Sequence, residues 1–137
     1  MLLRNETEIT CATIDLMSLN LFTGEAKMFK FGAAPSYIKR GNKVQKVRCH
    51  SFAPGLGSAA DNAPDLVKMK LDPSSIAVIV SDGVTSGEDD KWIKNIITNY
   101  SGESAKELSK KILETATQMF GCEDDMTILT IFTEKRA

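Results

Sequence analysis

Two acidic sites in this 137-residue chain carry the residue types needed for metal-assisted chemistry. Asp82 stands directly after the apolar run Ile76-Ala77-Val78-Ile79-Val80 and is followed by Gly83. Asp124 and Asp125 stand directly before an alternating apolar run over residues 126–132. If the two runs are neighbouring antiparallel strands, the end of the first and the start of the second share an edge, and the carboxylates converge. Ionised carboxylates brought together beside an apolar core repel each other, so a cation must compensate. Oxygen-only ligands suit a hard divalent ion, Mg²⁺ or Mn²⁺, and ligand type does not separate those two. Gly83 would let the backbone turn sharply beside such an ion. On spacing alone, however, a plainer reading is the stronger one: an Asp-Gly turn and a solvated Asp-Asp cap.

Other groups offer less. Gly55-Leu56-Gly57 lacks the full dinucleotide fingerprint and no clear helix follows it. Glu88-Asp89-Asp90 reads as the acidic start of a helix, favoured by the helix dipole. Lys106, Lys110 and Lys111 read as a solvated helix face. Ser81 and Ser86 have no His or Lys at a spacing that would make a nucleophile. Cys11, Cys49 and Cys122 are odd in number with no CxxC pair, which argues against a disulfide framework or a zinc ribbon. Two of these thiols are expected in or beside strands. His50 next to Cys49 has no second pair to complete a metal site.

The elements that must position the acidic sites follow from periodicity. A long strand is expected from residue 8 to 19, then a turn at Phe22-Thr23-Gly24-Glu25 and a second strand over residues 26–31. A second hairpin joins Ser36-Tyr37-Ile38-Lys39 to residues 43–48 through Arg40-Gly41-Asn42. Residues 51–65 read as a loop, residues 66–71 as a strand, and Asp72-Pro73-Ser74-Ser75 as a turn. The continuously apolar run at 76–80 fits a central strand buried on both faces.

Helical spacing then takes over. Trp92, Ile93, Ile96 and Ile97 form one stripe. Ser104 with Glu107 fits a capping box, and Ala105, Leu108, Ile112, Ala116 and Met119 continue the pattern to a stop at Gly121. Strands grouped first and helices later imply an α+β sandwich in a single domain over 1–137.

The formal charge of −1 argues against a nucleic-acid binder, which would carry a basic excess. No apolar run approaches the roughly 20 residues of a membrane-spanning helix. The start, Met1-Leu2-Leu3-Arg4, is too short in apolar residues for a secretory leader. The chain is therefore expected in the cytoplasm with no membrane contact of its own, although its parent protein is free to be membrane-tethered.

Val80-Ser81-Asp82-Gly83-Val84 followed by Asp124-Asp125-Met126-Thr127 resembles the last two acidic motifs of the metal-dependent serine/threonine protein phosphatases, the PPM family. More closely it resembles the bacterial branch typified by the stage II sporulation protein E phosphatase domain. Ala12-Thr13-Ile14-Asp15-Leu16, Phe22-Thr23-Gly24-Glu25, the stretch from Phe31-Gly32-Ala33-Ala34-Pro35 to Arg40-Gly41, and Ala53-Pro54-Gly55-Leu56-Gly57 resemble that branch in the same order.

The resemblance implies a β-sandwich flanked by helices in α-β-β-α layers, with a two-metal centre of Mn²⁺ or Mg²⁺ at one edge. It implies hydrolysis of phosphoserine or phosphothreonine by a metal-bridged water. Asp82 and Asp124 would be the catalytic metal ligands. Gly83 and Asp125 would support them, Asp125 standing where relatives often have Asn. The implied partner is a phosphoprotein substrate, of the anti-sigma-factor antagonist kind, in a bacterial signalling switch such as sporulation.

One departure matters. The family's earlier Gly-Asp and Asp-Gly motifs are absent, and Asp82-Gly83 is the only Asp-Gly in the chain. The expectation is therefore a C-terminal part of the domain, its N-terminal portion missing, inactive alone and prone to self-association through uncovered apolar faces. The alternative is a non-catalytic protein-interaction module that keeps the fold. A receiver domain phosphorylated on Asp82 fits poorly, because the first half reads as all-β.

Overall fold

The computed structural model describes residues 12–51, 63–86 and 89–134. Strand β1 (Ile14–Leu19) and β2 (Glu25–Phe31) form the first hairpin, in register from Ile14 opposite Phe31 to Leu19 opposite Ala26. Its turn is built by Asn20, whose side-chain oxygen accepts the backbone N–H of Phe22 at 2.9 Å and of Thr23 at 3.2 Å. This is how Asn specifies a turn: the side chain substitutes for a backbone acceptor. Strands β3 (Ser36–Arg40) and β4 (Lys43–Val47) form the second hairpin.

Strand β5 (Asp65–Lys70) pairs with β2, giving a three-stranded sheet in the order β1-β2-β5. Strands β6 (Ile76–Val80) and β7 (Ile128–Phe132) complete a four-stranded sheet in the order β4-β3-β6-β7. All pairings are antiparallel. The two sheets face each other across a core of Ala26, Met28, Ile38, Val47, Leu71 and Ala77. Helices α1 (Lys91–Asn99) and α2 (Ala105–Phe120) cover the other side of the four-stranded sheet. A second core there joins Tyr37, Val78, Val80 and Val84 to Ile93, Ile97, Leu108, Ile112 and Ala116.

Strand β6 contributes to both cores, Ala77 to one and Ile76, Val78 and Val80 to the other. That explains its continuous apolarity: a strand with no wet face has no position for a polar residue. The hydroxyl of Ser104 accepts the Glu107 N–H at 3.2 Å at the start of α2. The helix ends at Gly121, whose φ of 74° is open to glycine at little cost and whose N–H closes on the Thr117 carbonyl at 2.9 Å.

The α+β sandwich expected from the sequence is the observed fold, with several shifts in detail. The first strand begins at Ile14, and residues 8–11 of its expected span lie outside the described residues, as do Cys11, Glu88 and Ala53-Pro54-Gly55-Leu56-Gly57. The strand expected at 66–71 runs from Asp65 to Lys70 with Leu66 facing outward, because alternation on a two-sided strand allows only Val67 and Met69 to face the core. The last strand starts at Ile128, since Met126 and Thr127 belong to the turn before it. Met119 is half exposed, not part of the buried stripe of α2. Among the described thiols, Cys49 lies just beyond β4 and Cys122 is exposed between α2 and β7. No helix among the described residues is long and apolar enough to cross a membrane.

Candidate metal-binding rim at the β6–β7 junction

Strand β6 runs into β7 with Val80 opposite Ile128, so the residues after β6 meet those before β7. Residues Asp82–Thr85 form a single 3₁₀ turn held down by the fully buried Val84. The Val84 N–H closes on the Ser81 carbonyl at 3.1 Å, and the Ser86 hydroxyl donates to the Gly83 carbonyl at 2.8 Å. These bonds fix the direction in which Asp82 leaves the sheet.

Gly83 is buried against the opposite turn. A Cβ placed on it would lie 2.3 Å from the Asp125 carbonyl oxygen and 3.3 Å from the Asp124 carboxyl carbon. The backbone of the first turn thus touches the second, and only glycine leaves room. Ser81 joins the same two turns. Its N–H donates to the Thr127 carbonyl at 3.0 Å, and its hydroxyl accepts the Thr127 N–H at 2.8 Å and donates to the Asp125 carbonyl at 3.4 Å.

All four residues singled out by sequence, Asp82, Gly83, Asp124 and Asp125, therefore lie on one rim. The three aspartates are exposed there. The oxygen-only donor set and a glycine backbone against the Asp124 carboxyl suit a hard divalent ion. Among the described residues no group of three or more His, Cys, Asp or Glu side chains converges, at this rim or elsewhere. What Asp125 contributes to the packing is its backbone carbonyl, which lies against both Ser81 and Gly83. A surface cleft lined by Lys39, Ser75, Tyr100 and Thr133 lies at the opposite end of β6 and β7 from Asp82.

Two polar clusters had no sequence signal as clusters. Lys30 is fully buried between the sheets, where its ammonium binds Asp15 at 2.5 Å and the Ala34 carbonyl at 2.8 Å. Ser36 donates to the same Asp15 oxygen at 3.4 Å, while the other, Oδ1, is buried without a partner.

The second cluster centres on Asp90. It was expected to act as an acidic helix start, but its side chain makes no cap bond to α1. It pairs instead with Lys46 at 2.6 Å and Lys94 at 3.5 Å and accepts the Tyr37 hydroxyl at 3.0 Å. Burial pushes the Asp90 carboxyl up, but the bonds from Lys46 and Tyr37 and the charges of Lys46 and Lys94 outweigh it and hold the carboxyl below its ordinary range. Burial, with the Asp90 charge beside it, raises the Tyr37 hydroxyl far above the usual tyrosine value. Asp89 accepts the Lys91 N–H at 3.0 Å, so it is the aspartate one residue further from the helix that serves its start. His50 uses its backbone N–H, which donates to the Asp65 carboxylate together with that of Ser51 and lowers that carboxyl.

A family model for stage II sporulation protein E matches residues 1–134. Stage II sporulation protein E of Bacillus subtilis (strain 168) is 29% identical over 136 residues, covering 94% of this chain and 16% of that protein. The chain thus spans about a sixth of the length of this curated relative. The structure of the PP2C phosphatase domain and a regulatory-domain fragment of the cell fate determinant SpoIIE from Bacillus subtilis superposes with a TM-score of 0.78 at 26% identity, covering 89% of this chain and 37% of that one. The manganese-presoaked phosphatase domain of the same determinant superposes with a TM-score of 0.77 at 24% identity, covering 92% of this chain and 58% of that one. The fold, the rim and the match over nearly every residue lead to one assignment: the chain belongs to the stage II sporulation protein E family.

Proposed function

We propose that this chain supplies one side of the metal centre of a protein serine/threonine phosphatase, with Asp82 and Asp124 as metal ligands and Gly83 and Asp125 as their support. The observation that carries the reading is the junction of β6 and β7, where both acidic turns are locked onto one rim. The family membership and the likeness to a phosphatase domain support it. A manganese-presoaked relative favours Mn²⁺ or Mg²⁺ as the ion.

When bound, such ions polarise phosphoryl oxygens and make water a stronger nucleophile. The reaction is hydrolysis of a phosphate ester: the water oxygen bonds to phosphorus, and the serine or threonine oxygen leaves with a proton. Asp82 and Asp124 hold charge at the rim, Gly83 lets the two turns touch, and Val84 anchors the turn from below. The substrate class is a phosphorylated bacterial signalling protein such as an anti-sigma-factor antagonist. Free Cys49 and Cys122 fit a reducing cytoplasm.

Water can fill the rest of an ion's oxygen shell, but two carboxylates without the earlier acidic motifs are expected to hold the ion weakly and not to fix the attacking water, so the chain alone is expected to be inactive. Phosphoserine-peptide hydrolysis, measured across a Mn²⁺ titration, tests this with the 137-residue chain and with a longer protein that adds the earlier acidic motifs. The expected result is turnover by the longer protein only, abolished by Asp82→Asn. A longer protein that binds phosphopeptide without turnover would make the fold an interaction module.

A further inference from the structure

Among the described residues, Ser81 is the one whose side chain bonds from the first acidic turn to the second, and it has no part in the assignment above. Its hydroxyl stands between β6 and the segment before β7, accepting the Thr127 N–H at 2.8 Å and donating to the Asp125 carbonyl at 3.4 Å. The Ser81 backbone is itself tied to the Thr127 carbonyl at 3.0 Å. The Asp125 carbonyl is thus held from two sides, by the Ser81 hydroxyl and by the bare Cα of Gly83. Asp124 is the residue before that carbonyl, and Asp82 is the residue after Ser81.

We infer that Ser81 is a positioning residue for a divalent-cation site: its hydroxyl sets the Asp124 carboxylate against Asp82, and without it the two carboxylates bind a metal separately and weakly. The inference rests on the metal-site reading given above. The physical argument is that both aspartates are exposed, so neither is held by side-chain packing. Their separation is then set by the backbone of two turns. A hydroxyl that both accepts and donates can lock two turns, where an apolar side chain of similar size cannot. Partners of this kind, one bond removed from a metal ligand, change metal affinity by about 10–100-fold when removed.

The test uses the 137-residue chain, with Mn²⁺ alone as the probe and paramagnetic broadening of backbone amides as the readout. In the wild type, the amides of residues 82–84 and 124–127 are expected to broaden together at one Mn²⁺ concentration. Ser81→Ala is expected to need about tenfold more Mn²⁺, with the two groups broadening independently. Ser81→Thr, which keeps the hydroxyl, is expected to restore the wild-type response. A hydroxyl that served stability alone would lower the melting temperature of Ser81→Ala and leave its Mn²⁺ response unchanged, and that result overturns the inference. Ser81→Cys, with weaker hydrogen bonding, takes its place if Ser81→Ala does not fold; a wild-type Mn²⁺ response in Ser81→Cys likewise overturns it. A wild-type chain in which neither group broadens overturns the metal-site reading and this inference with it.

Discussion

Gly83 and Lys30 are residues whose replacement has a calculable direction. At Gly83 the obstacle to a side chain is the Asp125 backbone carbonyl, 2.3 Å from where a Cβ would lie, and a carbonyl inside a hydrogen-bonded turn cannot swing aside as a long side chain can. Gly83→Ala must push the two turns apart, and overpacking of this kind costs about 1–3 kcal/mol. Urea unfolding should show a lower midpoint at an unchanged m-value. Lys30 poses the opposite problem. It is fully buried and its ammonium is 2.5 Å from Asp15, whose side chain is only 13% exposed. Lys30→Met would leave a carboxylate with a buried, unpartnered oxygen and no counter-charge, at a cost of about 3–5 kcal/mol. Replacing both members, Lys30→Met with Asp15→Leu, should recover most of that loss, because a well-packed apolar pair can match a buried ion pair. A double-mutant cycle by denaturant unfolding checks this: additive losses would show that Lys30 and Asp15 are not coupled.

At the scale of elements, helix α1 is attached to the sheet in two ways. Ile93 and Ile97 pack into the core beneath it, and Asp90 ties its start to Tyr37 on β3 and Lys46 on β4. The second attachment depends on pH. The Asp90 carboxyl is held below its ordinary range in the fold, so its contribution to stability is fully present above the unfolded value of about 3.9 and fades as pH falls through the lower folded value. Asp90→Asn should therefore be less stable at neutral pH and should lose less on acidification below about pH 4, which thermal melts across pH 2–7 would show. A wild-type acid limb as steep in Asp90→Asn would mean that other carboxylates carry it. Nothing in the sequence marks Asp90 apart from Glu88 and Asp89, because its partners Tyr37 and Lys46 come from strands that only the sheet brings near. The legible elements were those with local signals: the two-sided apolar run of β6, the Ser104 cap, the Gly121 stop and the turn before β2. The antiparallel junction of β6 and β7 stood in the sequence only as the condition for the acidic sites to meet, and the pairing of the two strands meets it. Ser81 was not, since a hydroxyl's role there is decided by which backbone groups of a distant turn it meets. Lys30 was not either, because an alternating strand gives no sign that one inward residue is a charge paired across the hairpin.

At the scale of the whole molecule, the two sheets differ in what covers them. Both helices lie on the four-stranded sheet, and no helix among the described residues covers the outer face of the three-stranded one. That outer face is patterned in rows. Leu16, Phe29 and Leu66 lie side by side across β1, β2 and β5, with Ile14 opposite Phe31 in the next row. Ile14, Leu16 and Leu66 are 48%, 56% and 47% exposed. Further along the same strands Ser18, Lys27 and Lys68 form a row that water can solvate. The apolar rows are of the kind that drives association when left wet, whereas the lysine row resists it. The chain alone is therefore expected to self-associate through this face. Sedimentation velocity over a hundredfold range of protein concentration should show its mass rising with concentration. Leu16→Lys combined with Leu66→Lys extends the solvated pattern into the central apolar row, both positions pointing away from the core, so the pair should restore the monomer while leaving the melting temperature near that of the wild type. A wild type that stays monomeric throughout would mean that these rows are not sticky at working concentrations. Association that persists in the double variant would place the contact elsewhere, and the uncharged edge strand β7 would be the next position to alter.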